Sequence, residues 1–323
     1  MIVIIDPEVI KEVTRSRYVC ACIGNFDGVH LGHQELIKEA KSASRSKDGI
    51  SLAVTFNQNT KIINGENKFL TILPEKTSII SSFGIDYAYL IDFPGSICQL
   101  SAKSFIEKIL IDTLNVKEIF IGANFRFGHN RSGDYQTLID YGKMYDFQVR
   151  NHELIYINEL IISSSITRNV IKEGKVDIAK QLLGYSYFLS GIVGMGKRRG
   201  KAILVPTANV YNIDSFKLIP GNGVYTTLTI IDSKIYKSLT IIGLQPTFND
   251  DDFAVENHIL DFNGNIYGKT ISIIFINKLR DIKKFDNIPD LKLQIDNDIN
   301  SAREYFILNK GEIESININW FKF

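Results

Sequence analysis

The chain has 323 residues, 45% of them apolar and 23% charged, which is the length and apolar content of two ordinary globular domains. Its 37 Lys and Arg balance 36 Asp and Glu, so no surplus of positive charge marks it for a nucleic-acid backbone or an anionic membrane. Any polyanion must therefore be held locally. The opening Met1-Ile2-Val3-Ile4-Ile5-Asp6 lacks the basic segment and long apolar run of a signal peptide. No run of about 18 apolar residues follows that could span a bilayer, and a cytoplasmic protein is expected.

From the start to about Gly184, short apolar runs alternate with segments of helical period. Residues 18–23, 51–56, 87–91, 118–121 and 147–150 read as strands, and 34–46, 74–83, 102–115 and 134–144 as helices. That alternation predicts a doubly wound, Rossmann-like α/β domain with a parallel sheet. Cys20 and Cys22 share one face of the first strand and, with Cys98, read as buried reduced thiols. After Gly184 the texture changes. Residues 188–194, 223–231, 235–242, 256–262 and 270–277 are β-branched runs parted by Gly, Asn, Asp or Pro, which predicts an antiparallel β-barrel. A helix over 289–306 closes it, with Leu291, Ile295, Ile299 and Ala302 at helical spacing. The boundary is placed at Tyr185, giving domains 1–185 and 186–323; residues 309–323 carry no motif that can be interpreted.

The first strand runs into Gly24-Asn25-Phe26-Asp27-Gly28-Val29-His30-Leu31-Gly32-His33 ahead of a helix expected to start at Gln34. A strand-to-helix turn is where an α/β sheet binds ligands: glycines let a phosphate approach, the helix start offers N–H donors, and two imidazoles three residues apart can reach one phosphate chain. A second segment, Ser163-Ser164-Ser165-Ile166-Thr167-Arg168, supplies hydroxyls and a fixed cation before a helix expected over 169–183. In the second half, Gly191 to Lys201 combines glycines with Lys197, Arg198, Arg199 and Lys201, ahead of Pro206-Thr207-Ala208-Asn209. Such a turn can wrap a polyphosphate. Further on, Glu256 and His258 alternate on one face of a strand, where the carboxylate can accept the proton of an alcohol.

HxGH followed by ISSSxxR resembles the nucleotidylyltransferase superfamily, and nearly the whole chain is similar to the bifunctional riboflavin kinase/FMN adenylyltransferase family, the FAD synthetases. The likeness runs through Gly122-Ala123-Asn124-Phe125-Arg126-Phe127-Gly128, the serine segment, Pro-Thr-Ala-Asn and the Glu256 strand. It implies an N-terminal nucleotidylyltransferase domain, a C-terminal riboflavin kinase barrel, and FAD made from riboflavin by two ATP-dependent steps. Carried over, His30, His33 and Arg168 are catalytic, while Gly24, Asn25, Phe26, Asp27, Gly28, Ser163 and Ser164 line the ATP. Asn124, Arg126 and Phe127 seat FMN. In the kinase half Gly196 and Lys201 meet ATP, Thr207 and Asn209 hold Mg²⁺, Glu256 is the base, and Arg280 lies by flavin or nucleotide. ATP, riboflavin and FMN are the implied partners, with no membrane or nucleic acid and at most a weak homo-oligomer. The match departs at Asn57-Gln58-Asn59-Thr60, where the family usually has a histidine at the position of Asn59. It departs again at Lys201, Leu204 and Ile282. The first departure implies a slower adenylylation and motivates the alternative of a kinase carrying a flavin-binding or regulatory module.

Overall fold

The structure is a computed structural model describing residues 1–56, 68–91, 99–157, 159–195, 205–245, 250–316 and 318–321. Asn57–Thr60, Cys98, Gly196 and Lys201, singled out above, lie outside the described residues. Packing divides the chain into two compact units, Met1–Ser164 and Ser165–Lys322.

The first unit is built on six parallel strands, β1 (Ile2–Ile4), β2 (Val19–Ile23), β3 (Ile50–Phe56), β4 (Tyr87–Ile91), β5 (Val116–Gly122) and β6 (Gln148–His152), ordered β1-β4-β3-β2-β5-β6. Helices α1 (Pro7–Thr14), α2 (Leu31–Ser46), α3 (Leu73–Ser82), α4 (Ala102–Phe105, continuing as a π-helix over Ile106–Thr113) and α5 (Tyr135–Tyr145) make the connections, and a two-stranded antiparallel ribbon, β7 (Tyr156–Ile157) and β8 (Leu160–Ile161), follows β6. β2 has every residue buried, as a central parallel strand covered on both faces must. Ile23, Val54, Ile91, Phe105, Ile121 and Phe127 belong to the core that surrounds it. The chain winds from β2 outward through β3 to β4, then returns to add β5 on the other side of β2. The switch point therefore lies at the carboxyl ends of β2 and β5.

The second unit begins with α6 (Ser164–Lys172) and α7 (Val176–Leu183), followed by a closed barrel. Its antiparallel strands are β9 (Phe188–Gly194), β10 (Ala208–Tyr211), β11 (Gly223–Ile231), β12 (Lys234–Gln245), β13 (Asp250–Ile259) and β14 (Thr270–Arg280), ordered β10-β13-β12-β11-β14-β9. Helix α8 (Ile288–Leu308) packs on β12 and β14. A short helix α9 (Lys310–Glu314) follows, then a 3₁₀ turn that brings Trp320 edge-on to Tyr185 at 5.1 Å and Phe321 to Phe188 at 4.8 Å. The tail without a legible motif is thus an aromatic anchor.

Several expectations are corrected. The single helix expected over 169–183 is two, because Gly174 sits at φ +77° and an added Cβ there would lie 2.5 Å from the Tyr225 hydroxyl. Both helices pack with the barrel rather than with the parallel sheet. The strand expected over 256–262 is displaced: β13 starts at Asp250 and stops at Ile259, since Asp261 turns at φ 55° and pairs with Arg303. Helix α2 starts three residues before Gln34, so His30 is its N-cap and His33 lies in its first turn.

Inside the barrel, the β-branched run of β11 conceals a polar ring. The Asn257 amide Nδ2 donates to Thr240 Oγ1 at 2.9 Å, and Thr229 Oγ1 donates to Asn257 Oδ1 at 2.9 Å. Contacts of 2.8 Å join Thr240 to Thr227, Thr227 to Ser238 and Ser238 to Thr229. Each hydroxyl can thus donate once and accept once around a closed cycle, all five residues being fully buried. Asn257→Leu breaks the cycle at both ends and strands a donor and an acceptor. The unfolding free energy of this unit should fall by roughly 3 kcal/mol, read from the denaturant midpoint at unchanged m.

Candidate functional site

In the first unit, the loop between β2 and α2 is a compact strained turn. Gly28 has φ +79°, but Phe26 (φ 50°) and Val29 (φ 36°) are also left-handed and fully buried. Non-glycine residues in that region cost about 1–3 kcal/mol each and persist where surroundings fix them. Several contacts do so here. Asp27 is 2% exposed; its Oδ1 accepts from the backbone N–H of Leu70 at 2.9 Å and of Thr71 at 3.3 Å. Gly28 N donates to Thr71 Oγ1 at 3.0 Å, and Ser164 Oγ donates to the Asp27 carbonyl at 2.8 Å. The serine segment and the glycine loop therefore meet at Asp27, whose carboxylate braces the turn from within.

The two histidines stack with ring centroids 3.6 Å apart and planes 14° from parallel, and Phe26 meets His33 edge-on at 5.2 Å. His30 Nδ1 accepts the N–H of His33 at 3.3 Å, capping α2 and leaving Nε2 as the nitrogen that carries the proton. Burial pushes the His30 pKa down to about 4, with the nearby Asp27 charge opposing the shift. At neutral pH His30 is therefore an uncharged donor at a helix N-terminus, suited to oxygens that gain negative charge. Because the folded pKa lies below the ordinary value near 6.5, the unfolded chain binds the extra proton first. The first unit should lose on the order of 3 kcal/mol as pH falls from about 6.5 through 4, and His30→Gln should flatten that slope in denaturant titrations at each pH.

At the end of β5, Asn124 and Arg126 are exposed, and Arg126 Nη1 contacts Asp134 Oδ2 at 2.6 Å. Hydrogen bonds from Thr137 and Arg126 hold the Asp134 carboxyl at about 2. Phe127 is 6% exposed and packs between Phe105 and Phe125 at 5.4 and 5.6 Å. It stiffens the loop, and half-buried Phe125 is the ring with an accessible face. Ser163 precedes α6, and Arg168, 7% exposed, lies within that helix in the second unit. Cys20 and Cys22 are buried free thiols whose pKa burial raises to about 12, as expected of inert core residues.

In the second unit, β10 pairs with β13 so that Asn209 lies directly opposite Glu256, and with β9 so that Asn209 also faces Gly194. Directly paired residues project to the same face with Cβ atoms about 4.5–5.5 Å apart. Ala208 and Asn257, one position along, are buried inside, so Asn209 and Glu256 stand on the outer face, half-exposed, with Thr207 leading into the strand. His258 Nδ1 donates to the Pro206 carbonyl at 2.8 Å and fixes the approach to Thr207. The hydroxyl of Thr207 and the amide oxygen of Asn209 are hard oxygen donors, which suits Mg²⁺ completed by phosphate and water, and the Glu256 carboxylate beside Asn209 is left to accept a proton. Arg280 is engaged elsewhere: its Nε and Nη2 grip Asp298 on α8 at 2.9 and 2.7 Å, and Gln294 donates to the same carboxylate. That guanidinium ties the end of β14 to α8. The short strand carrying Asn209 was missed in the sequence, as was Lys76, 2% exposed beside the first loop. Four residues next to a proline, and one lysine in a polar helix, give no periodic signal.

A switch-point loop with a capped helix start in one unit, and a barrel face with paired amide and carboxylate in the other, define a two-domain nucleotide-dependent transferase. A family model for FAD synthetase matches residues 12–166, and one for riboflavin kinase matches 183–306. The bifunctional riboflavin kinase/FMN adenylyltransferase of Buchnera aphidicola subsp. Schizaphis graminum is 36% identical over 294 residues, covering 88% of this chain and 93% of its own. Its counterpart in Bacillus subtilis is 35% identical (88% and 91% covered), and that of Escherichia coli is 32% identical (89% and 93%). A crystal structure described as a macrolide-efflux protein from Streptococcus pneumoniae aligns with TM-score 0.83 at 30% identity, over 94% of this chain and 98% of its own. That description is the neighbour's own, and among the described residues no helix is long and apolar enough to cross a membrane. The chain belongs to the bifunctional riboflavin kinase/FMN adenylyltransferase family.

Proposed function

We propose that this chain makes FAD in two steps, phosphorylating riboflavin to FMN with residues 186–323 and adenylylating FMN with residues 1–185. The observation that carries the reading is the presence, in one chain, of the capped His30–His33 turn and the Asn209–Glu256 face. Family matches to both halves support both activities over a kinase with a merely regulatory N-terminal module.

In the kinase reaction Glu256 accepts the proton of the ribityl primary hydroxyl as its oxygen attacks the γ-phosphorus of ATP and ADP leaves. Thr207 and Asn209 would hold Mg²⁺, which would offset phosphate charge. His258 keeps Thr207 in place through the Pro206 carbonyl. In the adenylyl transfer an oxygen of the FMN phosphate attacks the α-phosphorus of ATP, and the bond to pyrophosphate breaks without a covalent intermediate. His30 and His33 stabilise the charge that develops, with the N–H groups opening α2 beside them. Ser163 and Ser164 take the outgoing pyrophosphate, a role the motif extends to Arg168. Asn124 and Arg126 border the FMN. Reduced, buried Cys20 and Cys22 support a cytoplasmic setting, and no membrane or nucleic-acid partner is assigned.

The test is chromatography of purified protein incubated with Mg²⁺ and ATP, in parallel with riboflavin and with FMN. FMN from the first and FAD from the second are the expected products. FMN formed without any FAD would reassign the N-terminal half as a binding module.

A further inference from the structure

Lysine is almost never fully buried unless its ammonium is taken up by oxygens. Lys76 on α3 is 2% exposed, and its Nζ donates to the carbonyl of Asn25 at 3.0 Å, to that of Phe56 at 3.3 Å and to Thr55 Oγ1 at 3.4 Å. Thr55 Oγ1 itself donates to the Asn25 carbonyl at 3.2 Å, and Gly24 N donates to the Val54 carbonyl at 3.1 Å. Phe56 ends β3, and Asn25 lies two residues beyond β2. One ammonium thus ties the carboxyl ends of two neighbouring parallel strands at the edge where the glycine loop begins.

The consequence is set by the planarity of the peptide. With the Asn25 carbonyl drawn onto Lys76, the trans 25–26 peptide must direct the Phe26 N–H the opposite way. Phe26 then takes the left-handed conformation, φ 50°, that the loop requires. Were this peptide to flip, a carbonyl oxygen would stand where the loop now offers an N–H, an arrangement that repels phosphate.

We propose, on the adenylyltransferase reading above, that Lys76 is a positioning residue of FAD formation, fixing the 25–26 peptide so that the loop presents donors to the polyphosphate. It acts through the backbone and touches neither substrate. The experiment compares Lys76→Met and Lys76→Arg with the unaltered full chain, measuring FAD formation from FMN, ATP and Mg²⁺. FMN formation from riboflavin by the same preparations is the internal control.

Lys76→Met should lower kcat for FAD formation by about tenfold to a hundredfold with KM for ATP unmoved. Lys76→Arg should recover part of the loss, and kinase turnover should not change. Amide hydrogen exchange should quicken over residues 24–29 and stay as it was in β2 and β3. An unchanged kcat overturns the proposal, as does a rise in KM alone. A loss of rate accompanied by faster exchange throughout the first unit, or by no change in the loop, overturns it too, since Lys76 would then only stabilise the fold or act otherwise. Failure of the unaltered chain to make FAD would instead remove the underlying reading.

Discussion

Glu256→Gln should lower FMN formation from riboflavin by about 10²–10⁴-fold and leave FAD formation from supplied FMN at its original rate. The substitution keeps the shape of the side chain and its place opposite Asn209, so the barrel has no reason to unfold. What it removes is the only capacity the mechanism asks of this group, accepting a proton from an alcohol whose oxygen is otherwise a poor nucleophile. Parallel assays of both half-reactions on one preparation decide the matter. Loss of both activities in a folded variant would argue against separate sites, and retained kinase turnover would remove Glu256 from the mechanism.

His33→Ala should do the reverse, costing FAD formation about 10²–10³-fold while riboflavin phosphorylation continues. Alanine is the best helix former, and His33 lies in the first turn of α2. Its backbone N–H still reaches His30 Nδ1 after the change. The stacked partner of His30 and the ring against Phe26 disappear, so the loss falls on charge stabilisation and on the orientation of His30 more than on the fold. Normal FAD synthesis by this variant would sink the assignment.

Much of this architecture was legible because its signals are periodic or chemically unusual. Alternating apolar runs and helical segments disclosed the parallel sheet, and β-branched runs broken by turn residues disclosed the barrel. Paired histidines after a glycine-bearing strand marked the first candidate site without any neighbour in view. The misses have physical causes. β1 and α1 are too short for a pattern, and the first exposes Ile2 and Val3 at a sheet edge. The bond between Arg280 and Asp298 joins residues 18 apart through tertiary packing, which no local pattern announces. The packing of Phe127 against Phe105 and Phe125 was equally silent in the sequence. The threonines of β11 read as ordinary strand formers, because only pairing with β12, and through it with β13, sets them against Ser238 and Asn257.

The strand order of the barrel also imposes an order in time. β9 is hydrogen-bonded to β14, whose first residue is Thr270, and β10 to β13. At about 5–20 residues per second, a ribosome completes β9 roughly 4–15 s before β14, its partner on one edge, begins. Throughout that interval the unpaired edge of β9 is open to any other extended chain. The parallel sheet has waits of its own, β1 for β4 and β2 for β5, but all of its strands precede Ser164. During synthesis the barrel is therefore the later of the two units to close. A chain halted after Ile259 should be cut by protease from Phe188 onward, whereas one extended past Arg280 should resist.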